Sequence, residues 1–418
     1  MKNLKLHTPT GLNDLLPSTF RRKRNLVRRI EAVFEGYGYA FVSSPTLEYL
    51  AVFEGIGSIP VTEIYKLGDR NGDMLALRSD MTPAVARMAA THNLMKSSPL
   101  RLCYIEKAFR NHERFQGREN EFTQAGAELM GISSPEADAE LIALAVHGLI
   151  AAGLVNFRVD IGEVNFLPGV LSELETALSE AERRAFIHHM IKRDYVSAEK
   201  LAAKAKHIIP AGELLSDLTQ LAGGLEMLNR ALSMLSNPQS QKALRHLKSV
   251  YEILQDQNLA RHILLDLSMT GQLDYYTGVI FKGYAKGSGT TVVDGGRYDQ
   301  MISIDAKPVP AVGFGTKIDG VLDALTAQDI SFDEKPADTL LAYHPSARAV
   351  ALTVGDSMRK NGTFLENSLI TGDLEDHKTY AKSRNLKGIL YFADPDTVLL
   401  VNLETGHVQK TTVNELLG

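Results

Sequence analysis

A chain of 418 residues with 44% hydrophobic and 23% charged side chains has the length for two or three domains and the composition of a globular protein, which excludes a disordered or fibrous one. Fifty acidic residues against 45 basic ones give a formal charge of −5, so no global excess of positive charge draws it to a polyanion. Cys103 is the single cysteine, which excludes an internal disulfide and a thiolate metal cluster; no apolar run reaches the ~18 residues of a membrane span and no signal-peptide core opens the sequence, so the expectation is a reducing, cytoplasmic setting with no membrane partner.

Residues Thr8 to Pro17 form a turn-rich lead-in. Leu26, Val27, Ile30, Val33 and Phe34 then recur at helical spacing, predicting a helix from Ser18 to about Glu35. Its Arg21-Arg22-Lys23-Arg24 run reads as a solvated face in preference to a nucleic-acid patch. Gly36-Tyr37-Gly38-Tyr39 ends the helix, Ala40 to Val42 is a strand, and Pro45 closes it. Glu63 to Leu67 and Met74 to Leu77 read as a hairpin turning at Asn71-Gly72. Leu77 to Pro83 leads into a helix through Arg87. Asp80 and Thr82 there suit an ammonium ligand, which needs a carboxylate and a hydroxyl. They equally suit ordinary N-cap chemistry ahead of a proline-started helix.

From Leu100 to Gly131, two apolar strands flank a polar loop. Leu102-Cys103-Tyr104-Ile105 opens the first and Phe122 to Met130 forms the second. The loop carries Arg110, Glu113, Arg114 and Arg118; on its own it reads first as an exposed hairpin with a solvated charged tip, although arginine forks also hold phosphate or carboxylate at two points. Cys103 lies in an apolar run and is expected buried and inert. Pro135 to Gly153 is a helix and Val155 to Ile161 a strand. From Val170 to about Asn258 strand signals fade and the chain reads as a helical insertion. His188, His189 and His207 within it have no acidic or cysteine partner set and read as surface or core histidines, not metal ligands. Ile263 to Leu267 returns to strand. Met269 to Gly278 and a strand from Val279 to Gly283 follow. Asp294 to Asp299 reads as a glycine turn, and Pro308 to Ala324 as a strand, a tight glycine turn and a helix. Past Asp333-Glu334-Lys335-Pro336, a small C-terminal domain is expected, with strands at Ala349 to Val354, Gly388 to Phe392, Val398 to Asn402 and His407 to Thr411, and helices at Ser357-Met358 and Lys378 to Arg384.

Several of these blocks resemble, in order and spacing, the motifs of class II aminoacyl-tRNA synthetases. The helix, Gly-Tyr-Gly-Tyr, strand and proline resemble motif 1. Phe109-Arg110, Gly117-Arg118, Phe122-x-Gln124 and Gly126-x-Glu128 resemble motif 2, and Pro308 to Ala324 motif 3. Leu273-Asp274-Tyr275-Tyr276 and Asp294 to Asp299 are similar to signatures of histidyl-tRNA synthetases in particular. The resemblance implies an α+β fold: a class II synthetase-like antiparallel sheet flanked by helices over residues 1–330, a helical insertion at about 170–258, and a small α/β domain at 337–418 like a reduced anticodon-binding domain. It implies a dimer through motif 1. It also implies a histidine pocket in which Asp80 and Thr82 take the α-amino group and Arg110 the carboxylate. Gln124 and Glu128 complete the amino-acid contacts, while Tyr275 and Tyr276 flank the imidazole. No metal and no cofactor is implied.

Two expected arginines are missing. The position that stabilises adenylation is Gly271, and the one that holds the γ-phosphate at the head of the motif 3 helix is Gly320. Phosphoryl chemistry needs fixed positive charge where charge builds up. Lys317 or Lys282 would be a poor substitute, since lysine is a point charge and not a fork. In the C-terminal domain a lysine-rich segment is replaced by Gly372-Asp373-Leu374-Glu375-Asp376-His377, which would repel an anticodon stem. This combination resembles the regulatory subunits of ATP phosphoribosyltransferase. The resemblance implies a non-catalytic partner of the short-form catalytic subunit, assembled as a hetero-octamer and taking part in histidine feedback on the first step of histidine biosynthesis, without tRNA. The alternatives are a divergent histidyl-tRNA synthetase and a stand-alone histidine sensor.

Overall fold

The structure, a computed structural model, describes residues 6–54, 59–112, 119–208, 210–270, 275–304, 307–331 and 338–417. The chain divides into two compact units, Met1–Phe332 and Asp333–Gly418. The motif 2 loop tip (Glu113, Arg114, Gly117, Arg118), Gly271 to Asp274 and the linker Asp333 to Pro336 lie outside the described residues.

In the first unit, α1 (Pro17–Gly36) leads to β1 (Ala40–Phe41), β2 (Leu47–Tyr49), β3 (Lys66–Gly68), β4 (Met74–Leu77) and α2 (Met81–Thr91). Then come β5 (Leu100–Phe109), β6 (Glu121–Met130), α3 (Pro135–Ala151) and β7 (Phe157–Glu163). The insertion holds α4 (Phe166–Glu173), α5 (Glu180–Ile191), α6 (Tyr195–Ala202), α7 (Pro210–Leu215), β8 (Ala222–Gly223), α8 (Leu225–Met234) and α9 (Pro238–Asp256). The unit closes with β9 (Ile263–Asp266), β10 (Val279–Ala285), β11 (Val293–Arg297), the short pair β12 (Ser303–Ile304) and β13 (Lys307–Pro308), β14 (Ala311–Lys317) and α10 (Ile318–Ala327).

Nine strands make one sheet in the order β1-β5-β6-β14-β11-β10-β7-β9-β8, antiparallel except at β1–β5 and β7–β9. Alternation along each strand gives the sheet two faces. One face presents Cys103, Ala125, Ala127, Leu129, Phe314 and Phe281 to the main core, where Leu26, Ile30 and Phe34 of α1 and most of α3 pack. Helix α3 is apolar nearly all round, as a helix covered on several sides must be. Phe34 meets Phe314 edge-to-face with ring centres 6.0 Å apart. The other face carries Leu102, Tyr104 and Met130 under α2, and it is this face that holds the cavity described below. Cys103 is fully buried, and its thiol is pushed up to about 12 by burial and the nearby Glu35 and Glu31, in line with an inert cysteine.

Three sequence expectations for this unit change. The Asp294 to Asp299 stretch is not a turn: Gly295 and Gly296 lie in β11, between β10 and β14. A Cβ on Gly295 would sit 2.4 Å from the Phe281 ring and 2.6 Å from Phe314, so the glycine is there for packing. Motif 3 has no tight glycine turn either, because β14 runs straight into α10 at Lys317 and Ile318. The basic run of α1 is only partly a solvated face. Lys23 pairs with Asp319 at 2.6 Å and Arg22 donates to Thr326 at 3.0 Å, tying α1 to α10. The insertion is helical apart from β8, which adds to the sheet edge beside β9.

The second unit contains β15 (Thr339–Tyr343), α11 (Arg348–Lys360), β16 (Leu365–Asn367), α12 (Leu374–Ser383), β17 (Gly388–Phe392), β18 (Thr397–Asn402), β19 (Val408–Thr412) and α13 (Val413–Leu417). Its sheet runs β16-β15-β17-β18-β19, parallel in the first three strands and antiparallel in the rest. The expected strand at Ala349 to Val354 is instead part of α11. Ala351, Val354 and Gly355 are its buried residues, a spacing of three and four that buries a helix stripe and not a strand face. The acidic run starts α12: Asp373 and Asp376 form a reciprocal capping box.

Candidate functional site

The cavity of about 420 Å³ rests on strands kept bare by small residues. Gly313 and Gly315 of β14 are two of them. A Cβ on Gly313 would fall 1.7 Å from Glu128 Oε2, so the buried carboxylate claims that space. Asp80, Thr82, Arg110, Gln124, Tyr275 and Tyr276 all line the cavity. Glu128, the seventh expected residue, lies fully buried behind the wall and bonds to residues that line it. Glu63, Phe122, Thr270 and Tyr298 are also among the lining residues.

Asp80 is the N-cap of α2, accepting from the Thr82 backbone N–H at 3.3 Å. Its Oδ1 also accepts from Gln124 Nε2 at 3.1 Å, while Gln124 Oε1 accepts from the Met81 N–H at 3.3 Å. Cap and pocket wall are thus one residue doing both jobs. Arg110 Nε donates to the Ser79 carbonyl at 3.2 Å, and its guanidinium lies 5.5 Å over Phe122 and 3.9 Å from Asp80. That leaves a planar fork fixed at the cavity wall, suited to a carboxylate.

Thr82 Oγ1 donates to Glu128 Oε1 at 2.7 Å, Tyr104 OH donates to the same oxygen at 3.2 Å, and Tyr298 OH donates to Oε2. Burial pushes the Glu128 carboxyl up to about 8, and the hydroxyls only partly offset it. Tyr275 and Tyr276 lie with ring centres 4.7 Å apart at 54°, and Tyr275 meets Tyr298 edge-on at 6.2 Å. Burial holds all three phenols well above their usual range, so they stay neutral. The site offers a carboxylate for an amine, a guanidinium for a carboxylate, and an aromatic slot with phenol oxygens for a flat polar ring.

Lys282, Lys317, Asp294 and Thr291 also line the cavity, with Lys317 the cross-strand partner of Gln124. Lys317 Nζ lies 3.1 Å from Asp294 Oδ2, which also accepts from Thr291 Oγ1 at 2.7 Å. Burial opposes ionisation of Asp294, but Lys317, Thr291 and Lys282 outweigh it and hold the carboxyl below its usual range. Beyond Arg110 and Phe122 opens a second cleft of about 1000 Å³, walled by Gly11, Asn120, Glu119, Asp319, Gly320 and Asp323. Burial and the neighbouring Asp319 push the carboxyls of Glu119 and Asp323 up. Gly320 sits in the first turn of α10, and a Cβ there would meet nothing closer than 3.5 Å. Sterics therefore do not demand glycine at this position. Among the described residues no group of three His, Cys, Asp or Glu could hold a metal, and no helix is long and apolar enough to cross a membrane.

A family model described as histidyl-tRNA synthetase matches residues 11–321. An ATP phosphoribosyltransferase regulatory subunit of Acetivibrio thermocellus is 37% identical over 418 residues, covering 100% of each chain. The chain belongs to the family of ATP phosphoribosyltransferase regulatory subunits. The crystal structure of an ATP phosphoribosyltransferase regulatory subunit/histidyl-tRNA synthetase from Bacillus halodurans has a TM-score of 0.80 at 29% identity, covering 93% of this chain and 98% of that one. A histidyl-tRNA synthetase from Nostoc has a TM-score of 0.79 at 20% identity, covering 99% and 98%, a likeness of fold alone.

For a regulatory subunit on a synthetase-like body, the informative residues include several the motifs do not single out. Tyr104 and Tyr298 hold Glu128. Tyr298 sits inside the Gly-Gly-Arg-Tyr run and was within reach of sequence reasoning. Tyr104 is one alternation from Cys103 on β5, and only the pairing of β5 with β6 brings it to Glu128. Arg297 of the same run is buried against Asp138 of α3, with Nε at 3.0 Å and Nη2 at 2.7 Å from Oδ1, and His246 of α9 reaches the other oxygen at 2.6 Å. Gly271 lies outside the described residues.

Proposed function

We propose that this regulatory subunit does no bond chemistry of its own, holds short-form ATP phosphoribosyltransferase catalytic subunits in an active arrangement, and carries histidine feedback on the first step of histidine biosynthesis in the cytoplasm. The pocket of Asp80, Thr82, Arg110, Gln124, Glu128, Tyr275 and Tyr276 is its histidine site. Histidine biases the assembly by binding one state more tightly than another.

The observation that carries the non-catalytic part is the second cleft. Where a triphosphate would need cations, Gly320 stands among Glu119, Asp319 and Asp323. Lys23 is paired with Asp319. Arg110 and Lys317 line the same cleft, but on the α10 side three carboxylates and a glycine stand where a clamp for a triphosphate would need a cation.

The subunit pairs with itself through the motif 1 region. Two features support this. β1 is an edge strand, with Phe41 42% exposed. Beside it in sequence, β2, β4 and β3 form a small sheet whose one face carries Leu47, Tyr49, Leu67, Leu75 and Leu77. Tyr49 is 57% exposed and Leu47 41%, an apolar face of the kind that a second chain covers. A hetero-octamer with the catalytic subunit is the expected assembly, and tRNA is not a partner.

One feature favours the second reading, a divergent histidyl-tRNA synthetase: Lys282 and Lys317 do line the first cavity. Histidine-dependent ATP–pyrophosphate exchange by the purified chain decides between them. The proposal expects none above background, and robust exchange would replace it with the enzyme reading.

A further inference from the structure

Strand β11 is held from both faces. On the pocket face, Gly296 leaves room for the Tyr276 ring, where a Cβ would fall 2.7 Å from Cε1, and Tyr298 donates to Glu128. On the core face, Arg297 turns to Asp138 of α3, and both residues are buried. The second oxygen of Asp138 accepts from His246 Nε2 at 2.6 Å. His246 lies on α9, so this bond ties the helical insertion to the back of the strand that lines the pocket. Its side chain keeps 29% exposure where Asp138 has none.

Thr277 stands next to the two tyrosines of the aromatic slot, and the same network holds it on three sides. Its N–H donates to the Arg297 carbonyl at 2.8 Å. Its Oγ1 accepts from the Asp299 N–H at 3.0 Å, and the Asp299 carboxylate accepts from Arg297 Nη1 at 3.1 Å. Its carbonyl accepts from Asn165 Nδ2 at 2.9 Å, and Asn165 is oriented by hydrogen bonds of 2.9 and 3.1 Å to Glu163. Glu163 is buried; burial pushes its carboxyl up, aided by Asp138, and Asn165 and His246 oppose this. A fully buried carboxylate oxygen that loses its donor bears the whole cost of its desolvation. Loss of the His246 donor therefore loosens the Asp138–Arg297 pair, and with it the backbone on which Thr277 rests.

We propose that His246 is a positioning residue for the aromatic slot, acting through Asp138, Arg297 and Thr277, and that these bonds couple occupancy of the pocket to the placement of the helical insertion. A ligand that orders Tyr275 and Tyr276 also orders Thr277 and the strand behind it, and so tightens the hold on α9. By linkage, a tightly held α9 favours the ligand by the same factor. Feedback thereby gains a route from the pocket to the insertion. The inference deepens the proposed function and rests on it only for naming histidine as the ligand.

Hydrogen exchange read by mass spectrometry on the full chain, with and without histidine, tests this, because exchange reports local opening segment by segment. In His246→Leu, exchange over Tyr275 to Val279 should quicken at least tenfold and histidine should bind at least tenfold more weakly in calorimetry, with β17 of the second unit unchanged. His246→Gln places an amide N–H at the reach of Nε2 and should restore both. His246→Asn is polar but one carbon short, and it carries the expectation of the leucine variant should that one fail to fold. Histidine should slow exchange in α9 of the parent chain and not in the leucine or asparagine variant. Exchange over Tyr275 to Val279 unchanged in these two variants, or raised as much in His246→Gln, overturns the proposal. Quickened exchange that glutamine restores, in a chain whose parent binds no histidine, upholds the tie and removes the histidine reading.

Discussion

Thr82 Oγ1 donates to Glu128 Oε1 across 2.7 Å, joining the first turn of α2 to β6 in a buried contact. The hydroxyl expected to greet a substrate amine is thus also a strut for the carboxylate behind it. This carboxylate gives the first prediction. Glu128 has its folded pKa near 8, above the ordinary 4.5. Between those values the folded chain keeps a proton that the unfolded chain has lost. The group's contribution is full below about pH 4.5 and is lost as pH rises through 8. The slope approaches about 1.4 kcal/mol per pH unit at most. Glu128→Gln, permanently neutral, removes it. Urea unfolding from pH 5 to pH 8 should show the variant gaining on the parent as pH climbs. Curves that stay parallel would mean that the carboxyl titrates normally.

Asp138 is fully buried, with Arg297 forked on one oxygen and His246 on the other. Removing one partner of a buried pair leaves an uncompensated charge, at about 3–5 kcal/mol. Asp138→Ala should lose stability in that range by chemical denaturation. A loss under about 1 kcal/mol would show the pair to be dispensable.

Gly320 costs its helix conformational entropy without a steric reason, since an added Cβ has 3.5 Å of clearance. Gly320→Ala should therefore raise stability by roughly 0.5 kcal/mol. A fall in thermal midpoint would reveal a steric or functional demand for glycine at the head of α10.

Tyr49 is more than half exposed on the apolar face of the β2-β4-β3 sheet. A charge there would have to be desolvated in the proposed self-contact. Tyr49→Asp should shift the isolated chain from dimer to monomer in sedimentation while leaving its circular dichroism unchanged. A parent chain that is already monomeric, or a variant that stays dimeric, places the self-contact elsewhere.

Local signals carried much of the fold. Apolar strand-length runs mark β5 and β6, and a proline and an N-cap aspartate mark α2. Failures came where the deciding partner is distant in sequence. Ala349 to Val354 has strand-like composition, and only the sheet it packs on reveals a helical stripe. Gly295-Gly296 has turn-like composition, yet it is a strand whose missing side chains make room for Phe281 and Tyr276. The same holds in the site. Asp80, Thr82 and Arg110 were legible from their motifs, whereas the Lys282–Asp294–Lys317 cluster depends on the register of β10, β11 and β14.

The regulatory role is tested most directly by mixing. A short-form ATP phosphoribosyltransferase catalytic chain is assayed alone, with this chain, and with this chain plus histidine. The account predicts little activity alone, strong activity with co-elution on mixing, and suppression by histidine that Arg110→Ala weakens at least tenfold. No activation and no co-elution would contradict it.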